Sequence, residues 1–503
     1  MSNCHESSGI NSLRLREILP HANPVSVSDL QFRSVCSQWQ ECEPGDLFVA
    51  INGVESDGHE FASEAIKRGA IAIVAERLLP VSAPQFLVDD TRVAFGRICQ
   101  RLAGQPSQRM STIGVTGTAG KTVTSHLIHS ILQSAGLAPG MTSSITTRYA
   151  DYEAAPIEAV QPPALASYLS KMAIGQCTHA IIEAASIPLA QKKFSGIQLD
   201  AAVVTGIQKR QFGYHGSFKN YFNAKFQIFN HLKSTGFAIV NADDKNSQPI
   251  LDLINSPALT YGIHNPAEVQ AKLLERNSAF QTFMLTAGIE SIPVRTRIIG
   301  KQHIYNCLAA AATALGFGLP LETIAKGIEN ANIPGRLERI DCGQPFGVWV
   351  DSSLNLSQLN GAITALSPIC EGKIWCVCST DQSQSKEERL QIGRLIENKT
   401  DHPVITQSEN TSIINYEPSH QVIDGFNDPS AAHVIPNRVR AIQWALSKAE
   451  DNDVILVAGR GERVGNSASN YESSDRQICE AILLGRNPNP SESCGIFNIE
   501  DYR

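Results

Sequence analysis

The segment Ser111–Thr122, STIGVTGTAGKT, limits the fold more than any other part of the chain. Ser111–Thr116 has the length and apolar content of a buried strand. A glycine-rich turn, Gly117-Thr118-Ala119-Gly120, follows it, then Lys121-Thr122 at the start of a helical pattern. Glycines let the backbone adopt left-handed angles and come close to an anion. Successive N–H groups at a helix start form an anion nest, and a lysine adds a point charge. A threonine hydroxyl after that lysine is placed to ligate Mg²⁺. The run departs from G-x-x-x-x-G-K-[ST], because Val115 occupies the first glycine position. The plainer alternative is a structural strand-to-helix turn.

Strand-like and helix-like runs alternate along the rest of the chain, which points to mostly parallel α/β sheets. A length of 503 residues exceeds what one core supports, so about three domains are expected. We place them at 1–106, 107–336 and 337–503. In the first, Leu47–Ile51 and Ile71–Ala75 read as strands around a helix at Phe61–Arg68. The polar Gly104-Gln105-Pro106-Ser107 reads as a linker. In the second, His179–Glu183 and Asp200–Thr205 read as further buried strands and Leu321–Asn330 as a helix, closed by Ile333-Pro334-Gly335-Arg336. In the third, strands at Gly347–Asp351, Lys373–Ser379, Pro403–Thr406 and Asp453–Ala458 alternate with helices at Gln358–Leu366, Lys386–Glu397 and Arg438–Ala449. This predicts a doubly wound, Rossmann-like sheet. Asn487–Ser491 reads as a loose tail.

A net charge of −7 without a basic run argues against a nucleic-acid partner. No secretory signal and no long apolar span are visible, so a cytoplasmic protein without membrane insertion is expected. Twelve cysteines in a chain this long need not be staples. Cys376 and Cys378 lie at period-two spacing on one strand face and read as core.

The stretch Gly114–Thr124, GVTGTAGKTVT, resembles the Mur ligases, whose loop reads TGTNGKT. Within that family the chain is most similar to the UDP-N-acetylmuramoyl-tripeptide synthetases. Further matches are Pro44–Ala50, Asp57-Gly58-His59, Tyr214–Ser217, Tyr221 with Ala224-Lys225, Gly300, Asn306 with Leu308–Ala310, Pro334-Gly335-Arg336 with Glu338, Asp351, and Val457-Ala458-Gly459 with Gly461. The resemblance implies a uridine-nucleotide-binding first domain, an ATP-binding phosphate-loop second domain and a Rossmann-like third. It implies that ATP phosphorylates a carboxylate of UDP-N-acetylmuramoyl-L-alanyl-D-glutamate, and that an amino acid then attacks the acyl phosphate. In this reading Gly117–Thr122, Asn306, Arg336 and Asp351 bind ATP. Glu183 and Thr122 hold Mg²⁺, joined by Lys225 if it is carbamylated. Lys121, Glu183 and Lys225 are the catalytic set and Ser186 contacts substrate. Asn306 has a second reading as a helix cap.

Several positions depart from the family. Gln211 stands where the family has a metal-binding histidine, and Arg210 where it has an aspartate. One like-charge contact at ~4 Å costs on the order of 4 kcal/mol at an effective dielectric near 20. Gln38-Trp39-Gln40 replaces Asp-Ser-Arg, and Val160-Gln161-Pro162 replaces the Thr-Thr-Pro region. Ser352-Ser353-Leu354, Asp381–Ser385, Ser408–Thr411 and Gly459–Arg463 replace four C-terminal motifs. The motif that selects diaminopimelate is among them, so the added amino acid stays open. Two expectations result: an active ligase, or a degenerate paralogue that binds ATP without ligating and partners a working ligase.

Overall fold

The computed structural model describes residues 13–25, 29–53, 56–154, 156, 160–209, 213–353, 355–380, 384–407, 417–461, 466–467, 470–471 and 473–486. Arg210, Gln211, Leu354, Asp381–Ser383, Ser408–Thr411, Glu462, Arg463 and the expected tail at 487–491 lie outside them. The chain forms two compact units. One comprises residues 1–270, 286–290 and 305–327, and the other residues 271–285, 291–304 and 328–503.

The first unit holds two sheets. The N-terminal one is built from β1 (Asn23–Pro24), β2 (Val35–Cys36), β3 (Leu47–Val49), β4 (Ala72–Ala75) and β5 (Gln85–Leu87) in the order β1-β5-β4-β3-β2. Leu47, Phe48, Val49 and Ala72–Ala75 are all buried, because helices cover a parallel sheet on both faces. Helix α1 (Ala62–Lys67) lies between β3 and β4. Helix α2 (Thr91–Leu102) starts where Asp90 accepts the N–H groups of Arg92 and Val93. The expected linker is instead a 3-10 turn at Pro106–Gln108. Pro106 and Ser107 are buried there, and the Ser107 hydroxyl accepts the Gln198 N–H at 3.2 Å. A polar stretch reads as a loop until a neighbouring element covers it.

The second sheet carries β6 (Ser111–Thr116), β7 (Pro139–Thr142), β8 (Thr147–Tyr149), β9 (Tyr152–Ala154), β10 (His179–Glu183), β11 (Leu199–Val204), β12 (Leu232–Asn241) and β13 (Ala258–Gly262). Their order is β9-β8-β7-β10-β6-β11-β12-β13. From central β6 the chain skips one position to β7, returns in β10 beside β6, and continues on the other side with β11, and the crevice of such a sheet lies at the carboxyl ends of its central strands. Helix α3 (Lys121–Ser134) follows β6 directly. Helices α4 (Pro162–Ile174), α5 (Ser186–Ala190), α6 (Phe218–Phe226), α7 (Lys301–Gly316) and α8 (Leu321–Asn330) complete the set used below.

In the second unit β14 (Glu338–Ile340), β15 (Gly347–Asp351), β16 (Ile374–Thr380), β17 (His402–Gln407), β18 (His433–Val434) and β19 (Val454–Ala458) run in the order β14-β15-β19-β16-β17-β18. Strands β15 to β18 and β19 are parallel, and β14 is an antiparallel edge. Helices α9 (Leu356–Leu366), α10 (Lys386–Lys399), α11 (Arg438–Lys448) and α12 (Asp475–Leu483) accompany them. Cys376 and Cys378 pack in one apolar cluster with Trp349, Ile363 and Leu456, as their spacing predicts.

Buried histidines make both units acid-sensitive. Burial, aided by Arg148, pushes His129 down from 6.5 to about 4. Burial pushes His303 down to about 3. A folded-state value below the unfolded one means that the unfolded chain binds the proton first. Stability is therefore complete above pH 6.5 and declines as pH falls toward each folded value. By about pH 5 each histidine costs on the order of 2 kcal/mol. Urea midpoints measured at about pH 7.5 and pH 5 should fall accordingly, and equal midpoints would contradict this.

Candidate active site

Strands β6, β10 and β11 end at one level. Glu183 pairs with Val115, and Val204 with Thr116. This register brings the Gly117–Gly120 turn, the Glu183 carboxylate and Thr205 to the same crevice. Gly117 (φ 148°) and Gly120 (φ 85°) take angles that other residues rarely adopt. Space excludes larger residues too: a Cβ on Gly117 would meet Thr205 Oγ1 at 1.9 Å, and one on Gly120 would meet Asn306 Oδ1 at 2.3 Å. The turn is braced from several sides. Thr118 N–H donates to Gly206 O at 2.8 Å, and Thr205 Oγ1 donates to Ala119 O at 2.5 Å. The Tyr221 hydroxyl reaches Thr118 Oγ1 at 2.9 Å.

Lys121 Nζ lies 3.3 Å from Gly117 O and 3.9 Å from Glu183 Oε1. Thr122 Oγ1 donates to Glu183 Oε2 at 3.0 Å and contacts Ser144 Oγ at 2.9 Å. Ser144 N–H donates to the same carboxylate oxygen at 2.9 Å. Two hydroxyls and a carboxylate thus form an oxygen cluster beside a loop of N–H groups and a lysine. Such oxygens suit a hard cation like Mg²⁺, and the loop suits phosphate. Asn306 supports the fit: it is 4% exposed, and among the described residues its Oδ1 has no hydrogen-bond partner. A buried polar atom without a partner in the protein is explained by a bound group. Asn306 lies inside α7, so the capping alternative does not hold.

Lys225, on α6, is 2% exposed and donates to Gly117 O at 2.7 Å. Its Nζ also sits 4.7 Å from the Tyr221 ring centroid. Ser186, the first residue of α5, meets His215 Nε2 at 3.0 Å. Burial, then the nearby Lys225 charge, lowers the His215 pKa, favouring neutral imidazole.

The structure therefore gathers Gly117–Thr122, Glu183, Lys225 and Asn306 in the first unit. Arg336 and Asp351 belong to the second unit. There Asp351 is buried and accepts Leu337 N–H at 2.7 Å and the Ser353 hydroxyl. Burial raises its pKa, opposed by Arg336 and these hydrogen bonds. Among the described residues, Arg336 Nε is buried without a hydrogen-bond partner. Nearby, Arg438 and Asp475 form a bidentate pair at 2.6 and 2.7 Å. Asp475 also accepts Gly461 N–H at 2.8 Å, and Arg438 donates to Ala458 O at 3.2 Å. The pair thereby clamps the Ala458–Gly461 turn.

Sequence reasoning missed Ser144, Thr205 and the Arg438–Asp475 pair. The available signal for Ser144 was its place just after the short strand β7, which no motif marks.

Residues 35–94 match the Mur ligase family catalytic domain, 115–314 the Mur ligase middle domain, and 335–461 the Mur ligase glutamate ligase domain. The chain is 30% identical over 456 residues to the UDP-N-acetylmuramoyl-L-alanyl-D-glutamate–2,6-diaminopimelate ligase of Geobacillus thermodenitrificans, covering 88% of this chain and 93% of that one. It is 30% identical over 484 residues to the ligase of the same name from Bacillus velezensis, covering 92% and 98%. A solved structure of a ligase of that name superposes with a TM-score of 0.69 at 21% identity, covering 94% of this chain and 99% of that one. MurF ligase from Thermotoga maritima, in complex with ADP, superposes at 0.58 with 18% identity, covering 90% and 96%. These relatives are named as ligases and lend no support to a non-catalytic reading. With its three α/β sheets and matches to all three domain types, the chain belongs to the Mur ligase family of ATP-dependent ligases.

Proposed function

We propose that the protein joins an amino acid to UDP-N-acetylmuramoyl-L-alanyl-D-glutamate, driven by ATP. The observation that carries this reading is the grouping of Lys121, Thr122 and Glu183 at the ends of β6 and β10. A substrate carboxylate oxygen attacks the γ-phosphorus and ADP leaves. The amine nitrogen then attacks the acyl carbon, loses a proton, and inorganic phosphate departs. The protein's task is positioning and charge neutralisation. Loop N–H groups and Lys121 hold the phosphates, and Asn306 faces the loop to accept a hydrogen bond from the nucleotide side. Thr122 and Glu183 would hold Mg²⁺, which neutralises phosphate charge when bound. Lys225, as an amine, fixes the Gly117 carbonyl; carbamylation would turn it into an anionic ligand. Ser186 serves the substrate and is oriented by His215. We assign Arg336 and Asp351 to nucleotide binding as well. We assign the domains as 1–106, 107–336 and 337–503.

No helix among the described residues is long and apolar enough to cross a membrane. ATP and a uridine nucleotide as substrates place the reaction in the cytoplasm. The second substrate is assigned as an α-amino acid. The diaminopimelate-ligase relatives make 2,6-diaminopimelate the first to try, against lysine and others.

The test is phosphate release by the purified protein with ATP and Mg²⁺, omitting each co-substrate in turn. Release that needs both supports the reading. ATP binding without release under any combination overturns it. Glu183→Gln keeps the shape and removes the charge. It should lower turnover at fixed Mg²⁺ by about 100-fold, with partial recovery at high Mg²⁺. Unchanged Mg²⁺ dependence would remove Glu183 from the metal site.

A further inference from the structure

The N-terminal sheet contains a second group of ligating atoms, remote in kind from the phosphate loop. Cys36 Sγ, Cys42 Sγ and a carboxylate oxygen of Asp46 lie within 4.8 Å of one another, and each residue is 2% exposed. Cys36 ends β2, Cys42 follows the 3-10 turn Trp39–Glu41, and Asp46 precedes β3. Pairing of β2 with β3, with Cys36 opposite Phe48, brings the three together. We propose that Cys36, Cys42 and Asp46 form a site for a thiophilic divalent cation, with Zn²⁺ the best match.

Three observations support this. First, the ligand set is right: two thiols and a carboxylate suit Zn²⁺, whereas Mg²⁺ prefers oxygen alone. Tetrahedral Zn²⁺ with ~2.3 Å bonds needs sulfurs roughly 3.8 Å apart, which falls inside the 4.8 Å that bounds every pair of ligand atoms here. Second, Asp46 is a buried carboxylate, and the two cysteines beside it belong to an apolar cluster with Phe48, Ala62, Ala65 and Ile73. Among the described residues it makes no ion pair; it accepts Glu43 N–H at 2.9 Å and the Ser34 hydroxyl. Buried charge is costly without a counter-charge, which a cation supplies. Third, the surroundings are those of a supported site. Ser34 and Glu43 orient the carboxylate. The Cys42 thiol donates to the Ala65 carbonyl oxygen at 3.6 Å, which fixes the position of the sulfur. Arg68 Nε donates to Cys42 O at 3.2 Å, placing positive charge where it favours loss of the Cys42 thiol proton.

Binding breaks two S–H bonds, forms two metal–sulfur bonds and releases two protons to solvent, with no redox change. Burial pushes both thiols up, so protons compete and affinity rises with pH.

The test uses full-length, metal-free, reduced protein without ATP. Titration with Cd²⁺ should raise a thiolate-to-metal charge-transfer band that saturates at a single equivalent. Cys36→Ala and Cys42→Ala should each lose the band, and Cys99→Ala should keep it. Zn²⁺ should raise the wild-type thermal midpoint, and Mg²⁺ should not replace it. No band and no shift in the wild type overturn the proposal whatever the variants do. A band that survives both cysteine changes overturns it as well.

Discussion

Lys121→Ala lowers ATP-dependent turnover by about 100- to 1,000-fold while leaving the fold intact, as expected for removing one well-placed charge from a phosphate site. That range corresponds to roughly 3–4 kcal/mol of transition-state stabilisation. Lys121 starts α3, and its contacts with Gly117 O and Glu183 are long, at 3.3 and 3.9 Å. Neither supports the core, so the thermal midpoint should hardly move. Turnover close to that of the wild type would show that the loop is only a strand-to-helix turn. Lys121→Arg keeps the charge but carries a bulkier planar fork, and it should recover only part of the rate.

Asp475→Ala should destabilise the second unit by about 3–5 kcal/mol. Burial works against the Arg438 charge, and Asp475 more than offsets it. The side chains are 1% and 0% exposed, so removing Asp475 leaves a guanidinium in the core without its counter-charge. Gly461 N–H loses its acceptor too. Three of the four tryptophans, Trp349, Trp375 and Trp444, lie in this unit, so fluorescence during urea unfolding reports mainly on it. Converting both partners to apolar residues of similar volume should restore much of the loss, because only the broken pair is strongly unfavourable. A midpoint unchanged in Asp475→Ala would mean that the pair is solvated in solution.

Much of this architecture was legible where strands were long and apolar. Ser111–Thr116, His179–Glu183 and Gly347–Asp351 begin and end where the pattern places them. Buried parallel strands leave an uninterrupted apolar run, and the glycines after β6 mark its end. The N-terminal edge was harder. Strands such as Asn23–Pro24 and Gln85–Leu87 are too short to show a period. The hairpin Thr147–Ala154 is half exposed and carries no turn motif of the usual kind. Glu183 was found because a strand-end acid has a position in the pattern. Ser144 was not, because its role depends on β7 lying beside β10, and sheet order is not written in periodicity. Cys36 and Cys42 are spaced unlike a metal motif, and only the β2–β3 pairing makes them neighbours of Asp46. Arg438 and Asp475 are 37 positions apart, so nothing local marks them as a pair.

The most direct test of the central claim follows an oxygen atom. The dipeptide substrate is prepared with oxygen-18 in its glutamate carboxylates and incubated with ATP, Mg²⁺ and the amino acid. Passage through an acyl phosphate moves one labelled oxygen into the released inorganic phosphate, together with formation of a tripeptide product. That is the result expected here. Phosphate released without label, or an intact dipeptide with ATP bound but uncleaved, would contradict ligation by this chain.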